Sequence, residues 1–446
     1  METKNTSRRE FVKNTSLIAG GLIAAPAISQ ATNYFSGADD TIKVALIGCG
    51  GRGTGAAMEA LLTKQNVKLV AMADAFRDRL DNCYKRLNAD DISESSGQKG
   101  NIKAKIDVPE ERKFVGFDGY LKAIPLADVV ILTTPPGFRP LHFEEAIKRN
   151  KHVFMEKPVA TDPAGIQKVL AAAEQAKQKK LNVVVGLQRH YQTSYRELFS
   201  RKNLIGDITS AQAWWNNDGV WVNPRKEGQT EMEYQMRNWY YFVWLCGDHI
   251  CEQHIHNIDV VNWFKEGYPV KAQGMGGRQV RKGKDHGEIF DHHYVEFHYA
   301  DGSILNSQCR HIPGTMSKVD ELIIGTKGKI NCGAMNIKDL SGKTLYQFDR
   351  SKENNPYQAE HDELFGAIAK GEFKFADGEN GAKSTMTSIL GRMATYTGRV
   401  VEWDKALNSG IDLQPKQYDW AATPPVVPGS DGFYPIATPG VTKFGF

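Results

Sequence analysis

The chain has 446 residues, of which 41% are apolar and 24% charged, with a net charge of +4. That length is ample for two or three domains with sizeable cores, and so small a surplus, with no basic block, argues against a nucleic-acid partner. Four basic residues (Lys4, Arg8, Arg9, Lys13) against two acidic ones (Glu2, Glu10) place about half of it in the first 31 residues.

Those residues open with Arg8-Arg9-Glu10-Phe11, continue through a mild apolar run over 16–27, and carry small residues at Ala25, Ala27 and Ser29. The pattern predicts a twin-arginine export signal over 1–31 and a periplasmic protein; a disordered basic tail is the rival reading. The run is too short for a membrane span, and no cysteine near the cut offers a lipid anchor. None of the six cysteines forms a CxxC pair, so an oxidising compartment permits a disulfide without requiring one.

The next stretch reads Val44-Ala45-Leu46-Ile47-Gly48-x-Gly50-x-x-Gly53 and passes into a small-residue helical pattern. A strand that turns tightly into a helix N-terminus holds a pyrophosphate on free backbone N–H groups. A second apolar run over 67–73 ends at Asp74, placed to accept both ribose hydroxyls of an adenosine and to repel a 2′-phosphate, which favours NAD. Arg77 and Arg79 follow closely and keep NADP open. Residues 85–108 are polar and read as an exposed insertion. A helix over 119–124, a buried strand over 128–134 that ends in Thr134-Pro135-Pro136-Gly137, a helix over 141–148 and a strand over 152–155 complete an alternation of strands and helices. Such alternation predicts a doubly wound parallel sheet.

Glu156-Lys157-Pro158 stands at the end of that last strand, where the proline holds Lys157 extended and presents its ammonium from a rigid edge; a snorkelling surface lysine is the bland alternative. A helix over 160–180 and a strand over 183–187 deliver Gln188. Beyond them, aromatic and alternating segments predict a mostly antiparallel sheet with one covered face, closed by helices over 358–370 and 382–398. The Pro-rich tail is expected to wrap the molecule without regular structure. The expected organisation is a nucleotide domain over 40–160, a substrate and oligomerisation domain over 161–404, and a tail over 405–446.

The second chemical feature runs from Gly247 to Trp263. If helical, it puts His249, Glu252, His256 and Asp259 on one face. Glu252 would orient His256 as a general acid/base; a metal site or a satisfied polar helix face are the other readings, and no metal is expected. His254 points elsewhere and is expected, with Asp259, Trp221 and Arg237, to contact substrate. Aromatic faces beside Asn, Asp and Arg in 214–221 and 237–241 suit a carbohydrate.

Gly48-x-Gly50-x-x-Gly53, Asp74, Glu156-Lys157-Pro158 and Glu252-x-x-x-His256-x-x-Asp259 with Trp263 together resemble the Gfo/Idh/MocA oxidoreductase family. The resemblance implies a Rossmann domain followed by an α/β domain with a large, mostly antiparallel open sheet, often used for homo-oligomers. It implies NAD-dependent hydride transfer at a sugar or cyclitol carbinol, with Lys157 positioning and His256 as acid/base. The expected cofactor set is Gly48, Gly50, Arg52, Gly53, Asp74, Thr134, Arg139, Glu156, Lys157 and Gln188. Three positions depart from the family pattern: Glu252 replaces an aspartate, His254 a common glycine, and Arg139 a histidine. The export signal and aromatic clusters look most like glycoside 3-dehydrogenases, so oxidation of a ring hydroxyl at C3 is the expected reaction. An NAD-dependent glycosidase is the alternative within enzymes, and a nucleotide-loaded sugar-binding protein the alternative outside them.

Overall fold

A computed structural model describes residues 40–90, 92–93 and 99–444; the expected export signal lies outside them. Six parallel strands form the first sheet: β1 Ile42–Ile47, β2 Val67–Asp74, β3 Lys113–Val115, β4 Val129–Leu132, β5 His152–Met155 and β6 Val183–Val185, in spatial order β3-β2-β1-β4-β5-β6. Strands β1, β4 and β6 are apolar and buried along their whole lengths apart from Lys43, the signature of a parallel sheet covered on both faces. The order reverses beside β1, and ligands of open α/β sheets bind where the carboxyl ends of the strands meet at such a reversal.

Two expectations change here. The sheet does not end at residue 160: helix Pro163–Gln178 crosses over and returns the chain to β6 beside β5, so the nucleotide layer reaches Val185. The polar 85–108 stretch is not a free insertion either, since helix Arg77–Leu87 consumes its start and Ile102 and Val108 are buried in the core.

The second sheet has nine strands: β7 Ile208–Asn217, β8 Lys271–Gly277, β9 His292–His298, β10 Ile304–His311, β11 Lys318–Gly325, β12 Gly328–Asn331, β13 Asn336–Asp339, β14 Thr344–Gln347 and β15 Val401–Glu402. Their order is β14-β13-β12-β11-β7-β10-β9-β8-β15, antiparallel except for the β7–β10 pair. Alternating burial in β9 and β10 gives the sheet one face toward the helices and one partly open. Helices Ile255–Lys265 and Gly378–Thr397 fill the covered side with Ile258, Val261, Met386, Ile389 and Leu390, all fully buried. Among the described residues, the tail has no regular structure beyond helix Trp403–Leu407. All six cysteines are buried thiols.

Candidate active site

The glycine turn between β1 and helix Gly51–Leu62 is built by close approach. Gly48 has φ +99°, and a Cβ there would lie 2.5 Å from the Thr134 nitrogen; one on Gly53 would lie 2.0 Å from the Gly48 carbonyl oxygen. Neither position has room for a side chain. A Cβ on Gly50 or Gly51, in contrast, meets nothing within 4 Å, so the open space lies directly over the helix start. No side chain caps that start and no acid occupies its first turn, which leaves its N–H groups and positive dipole end for an anion.

Asp74 closes β2 and does two jobs. Its carboxylate accepts hydrogen bonds from the Cys49 N–H at 2.6 Å and the Phe76 N–H at 2.9 Å, tying the glycine turn to the second strand. Burial pushes its pKa up against those two donors. Residues Gly48, Gly50, Arg52, Gly53, Asp74, Thr134, Arg139, Glu156, Lys157 and Glu252 line one cavity of about 430 Å³. A dinucleotide fits this donor set: an uncapped helix N-terminus for the pyrophosphate, a carboxylate one strand away for the ribose, and Phe76 and Phe117 on the wall for the base.

Arg52 does not face that space freely. It binds Glu156 at 2.5 Å, Glu59 at 2.9 Å and Glu360 at 3.5 Å. Burial works against its charge, yet the three carboxylates hold its pKa above the ordinary value. Three acids around one guanidinium cannot all ionise cheaply: burial, reinforced by Glu156 and Glu59, pushes the Glu360 carboxyl well above its ordinary value despite Arg52. The role of Arg52 is thus to lock Glu156 beside the cradle. Arg139 is buried and donates to the Thr134 carbonyl at 2.7 Å; burial lowers it to about 10. His142, which sequence reasoning missed, meets the Thr134 hydroxyl at 3.2 Å and is held neutral, at about 3, by burial and Arg139. Gln188 lies outside the cavity wall and donates to the Tyr357 hydroxyl.

Lys157 precedes a cis peptide bond to Pro158 and spans the two sheets. Its ammonium donates to the Glu252 carbonyl at 2.7 Å and lies 3.4 Å from the Glu252 carboxylate. A break in the expected helix makes this possible. Asp248 has φ +72° and caps His249 through its carboxylate; a single turn, His249–Glu252, follows, and the helix resumes at Ile255–Lys265. Within the break His254 donates its N–H to the His249 carbonyl, and His256 to that of Gln253. The Glu252 carbonyl would accept the His256 N–H in a continuous helix; here it is free for Lys157.

The four residues expected on one helix face therefore separate. His249 turns into a buried cluster with Asp248, His293 and His311. Asp259 is buried and accepts from His190 at 2.7 Å, Ser384 at 2.7 Å and Asn380 at 3.1 Å, so it holds the helix and has no exposure for substrate. His254 is fully buried against the Ser307 hydroxyl at 2.7 Å, with burial lowering it to about 3; it is a core residue, not a substrate contact. Arg237 grips Asp78 at 2.8 and 2.9 Å and stacks 3.7 Å over Phe76, which places it at the nucleotide end of the cavity. Trp221 lines the same cavity at 45% exposure.

His256 begins the second helical piece, stacked on Trp215 and 8% exposed, with no partner on Nδ1. Burial, then the charges of Lys157, Arg189 and Arg52, hold its pKa well below the ordinary value, so the ring is neutral near pH 7. Glu252 makes its contact with Lys157 rather than with His256. Among the described residues, two groups of three side chains could share a metal, Asp248/His249/His293 and Glu59/Glu360/His361; Glu252 and His256 belong to neither.

Residues 42–186 match the family described as oxidoreductase family, NAD-binding Rossmann fold. An inositol 2-dehydrogenase of Gluconacetobacter diazotrophicus is 30% identical over 168 residues, 37% of this chain and 43% of that protein; the chain thus aligns with less than half the length of that curated relative. Among solved structures, scyllo-inositol dehydrogenase from Lactobacillus casei with bound NAD(H) and scyllo-inositol superposes with a TM-score of 0.60 at 19% identity, over 82% of this chain and all of the other. Aldose-aldose oxidoreductase from Caulobacter crescentus, complexed with glycerol, gives 0.62 at 17% identity over 81% and 100%. With the glycine cradle and the Asp74 carboxylate, the match over residues 42–186 shows that this part of the chain is the NAD-binding Rossmann domain of the Gfo/Idh/MocA oxidoreductase family.

Proposed function

We propose that the protein is an NAD-dependent dehydrogenase that oxidises a ring hydroxyl of a glycoside or related sugar, at C3, to the ketone. One observation carries the reading: the Lys157 ammonium reaches from the end of β5 to Glu252, on the turn that leads into His256. A neutral imidazole accepts a hydroxyl proton, and a fixed ammonium stabilises the alkoxide that develops as the proton leaves. Bound NAD supplies the hydride acceptor. Glu252 fixes the ammonium through its carbonyl and carboxylate, and Trp221 offers an aromatic face to the C–H surface of a sugar. The inositol dehydrogenases among the relatives act on ring hydroxyls by name, and the aromatic residues around the cavity favour a glycoside.

A periplasmic location belongs to this reading through Arg8-Arg9 and the run that follows. So does a homo-oligomer assembled on the outer face of the nine-stranded sheet, where Met275 is 71% exposed. The test supplies NAD and a panel of aryl glycosides and cyclitols, and follows reduced nicotinamide, released phenol and the position of the ketone by NMR. Reduced nicotinamide with a C3 ketone is expected. Phenol without net reduced nicotinamide would assign a glycosidase, and neither product a binding protein.

A further inference from the structure

Behind the glycine cradle, helix Gly51–Leu62 packs against helix Pro356–Ala369, and a polar cluster lies between them. Glu59 comes from the first helix, Glu360 and His361 from the second, and all three are fully buried. One ligating atom from each, two carboxylate oxygens and an imidazole nitrogen, lies within 4.8 Å of the others. The helices are also joined by the Gln358 amide, which donates to the Glu59 carbonyl at 2.9 Å.

Hydrogen bonds and ion pairs do not use up these atoms. Arg52 donates to both oxygens of Glu59, at 2.9 and 3.1 Å, but reaches Glu360 only at Oε1 and only at 3.5 Å. Glu360 Oε2 has no hydrogen-bond partner, and neither does either ring nitrogen of His361. Packing alone fixes that ring, 4.2 Å from Phe154 of β5 and 6.2 Å from Phe365 between centroids. Orphaned polar atoms at such depth are costly. His361 Nε2 stands 3.5 Å from Glu59 Oε2, and two ligands at about 2.1 Å from a tetrahedral ion stand about 3.4 Å apart. Burial, then Arg52, holds the imidazole neutral, so its lone pair is available. Charge points the same way: Glu59 and Glu360 share the guanidinium of Arg52 with Glu156, so the buried acids outnumber their cation. The other convergent trio is a closed network, because the Asp248 carboxylate already accepts from His249, the Phe290 N–H and the Tyr396 hydroxyl.

We infer that Glu59, Glu360 and His361 bind a divalent first-row transition metal of the zinc and manganese class, which clamps helix Pro356–Ala369 to the helix of the glycine cradle. An imidazole beside two carboxylates suits such an ion better than calcium or magnesium, which take all-oxygen shells. Arg52 is then the outer hydrogen-bonding partner of a ligating carboxylate. Because Arg52 also grips Glu156 on the cavity wall, the clamp steadies the floor of the nucleotide site. None of this rests on the dehydrogenase reading.

The test produces the full-length protein with added Zn²⁺ or Mn²⁺, passes it through gel filtration in metal-free buffer and counts metal per chain by plasma mass spectrometry. About one equivalent of one of the two ions is expected in the wild type. Glu360→Gln and His361→Gln are each expected to lose it by at least about tenfold, while His293→Gln, in the other trio, keeps it. Circular dichroism and thermal unfolding check that each variant is folded. If the variants do not fold, X-ray absorption on the wild type decides, with imidazole and carboxylate ligands expected at about 2.0–2.2 Å. Wild type with less than about a tenth of an equivalent under both supplements would overturn the clamp. So would equal metal in wild type and both folded variants, or an absorption spectrum without an imidazole ligand.

Discussion

Lys157 acquires its geometry from what flanks it in space more than from its own side chain. Glu156 on one side is clamped by Arg52, and Glu252 on the other supplies a carbonyl that a helix break has freed. Replacing Lys157 by alanine removes the stabilising charge and leaves the cradle intact. The expected outcome is a fall in kcat/KM of about 10²–10⁴ with NAD affinity within a few-fold of wild type, read by calorimetry beside steady-state kinetics. His254 is expected to behave in the opposite way. His254→Ala deletes a buried hydrogen bond to Ser307, so it should cost about 1–3 kcal/mol of stability while leaving KM for the sugar unchanged; a large KM effect with no stability loss would return His254 to the binding surface.

At the scale of the element, the glycine turn separates fold from function within four residues. Gly53→Ala drives a Cβ into the Gly48 carbonyl and is expected to cost about 3 kcal/mol, measured by urea unfolding. Gly50 has φ −74° and open space beyond it, so Gly50→Ala should unfold at the wild-type midpoint yet bind NAD more weakly, because its methyl occupies the pyrophosphate's place. This element was legible in the sequence because all its determinants are local: apolar run, glycine spacing and terminal acid lie within 33 residues, from Ile42 to Asp74. The segment from Gly247 to Trp263 was not. Its residue types suited one continuous helix, but Asp248 is claimed by the Phe290 N–H, the Tyr396 hydroxyl and His249. Partners up to 148 residues away thus fix a backbone that no periodicity encodes. The same distance hid the bond of Arg237 to Asp78, 159 residues apart, and the stacking of Trp420 on Phe117.

Over the whole molecule, the fold carries a set of histidines that burial keeps neutral. His142 and His254 are held at about 3, His152 and His249 at about 4, and His256 and His361 well below the ordinary value of 6.5, burial being the largest cause in each. These groups take up protons when the chain unfolds and refuse them while it is folded, so their contribution to stability is complete above pH 6.5 and is lost as pH falls toward their folded values. His190 runs the other way: Asp259 overcomes burial and raises it, one histidine raised against eight lowered, since burial also lowers His286 and His311. The urea midpoint is therefore expected to drop steeply between pH 7 and pH 5, with His142, His152, His249 and His254 each worth on the order of 1–2 kcal/mol at the lower pH. A flat profile over that interval would mean that these rings are protonated in the fold. The division into a parallel sheet and a mostly antiparallel one followed from continuous and alternating apolar runs; the boundary at Val185 did not, because a crossover helix looks the same whether the strand after it joins the old sheet or the new one.

The account depends on a lysine from the nucleotide sheet and a histidine from the second domain acting on one substrate over bound NAD. The most direct test is a single-turnover experiment in which wild type, Lys157→Ala and His256→Ala, each loaded with NAD to the same occupancy, are mixed with excess glycoside, and the formation of reduced nicotinamide is followed. Rapid reduction in the wild type, with a loss of about a hundredfold or more in each variant, is the expected result. Reduction at the wild-type rate in either variant would contradict it.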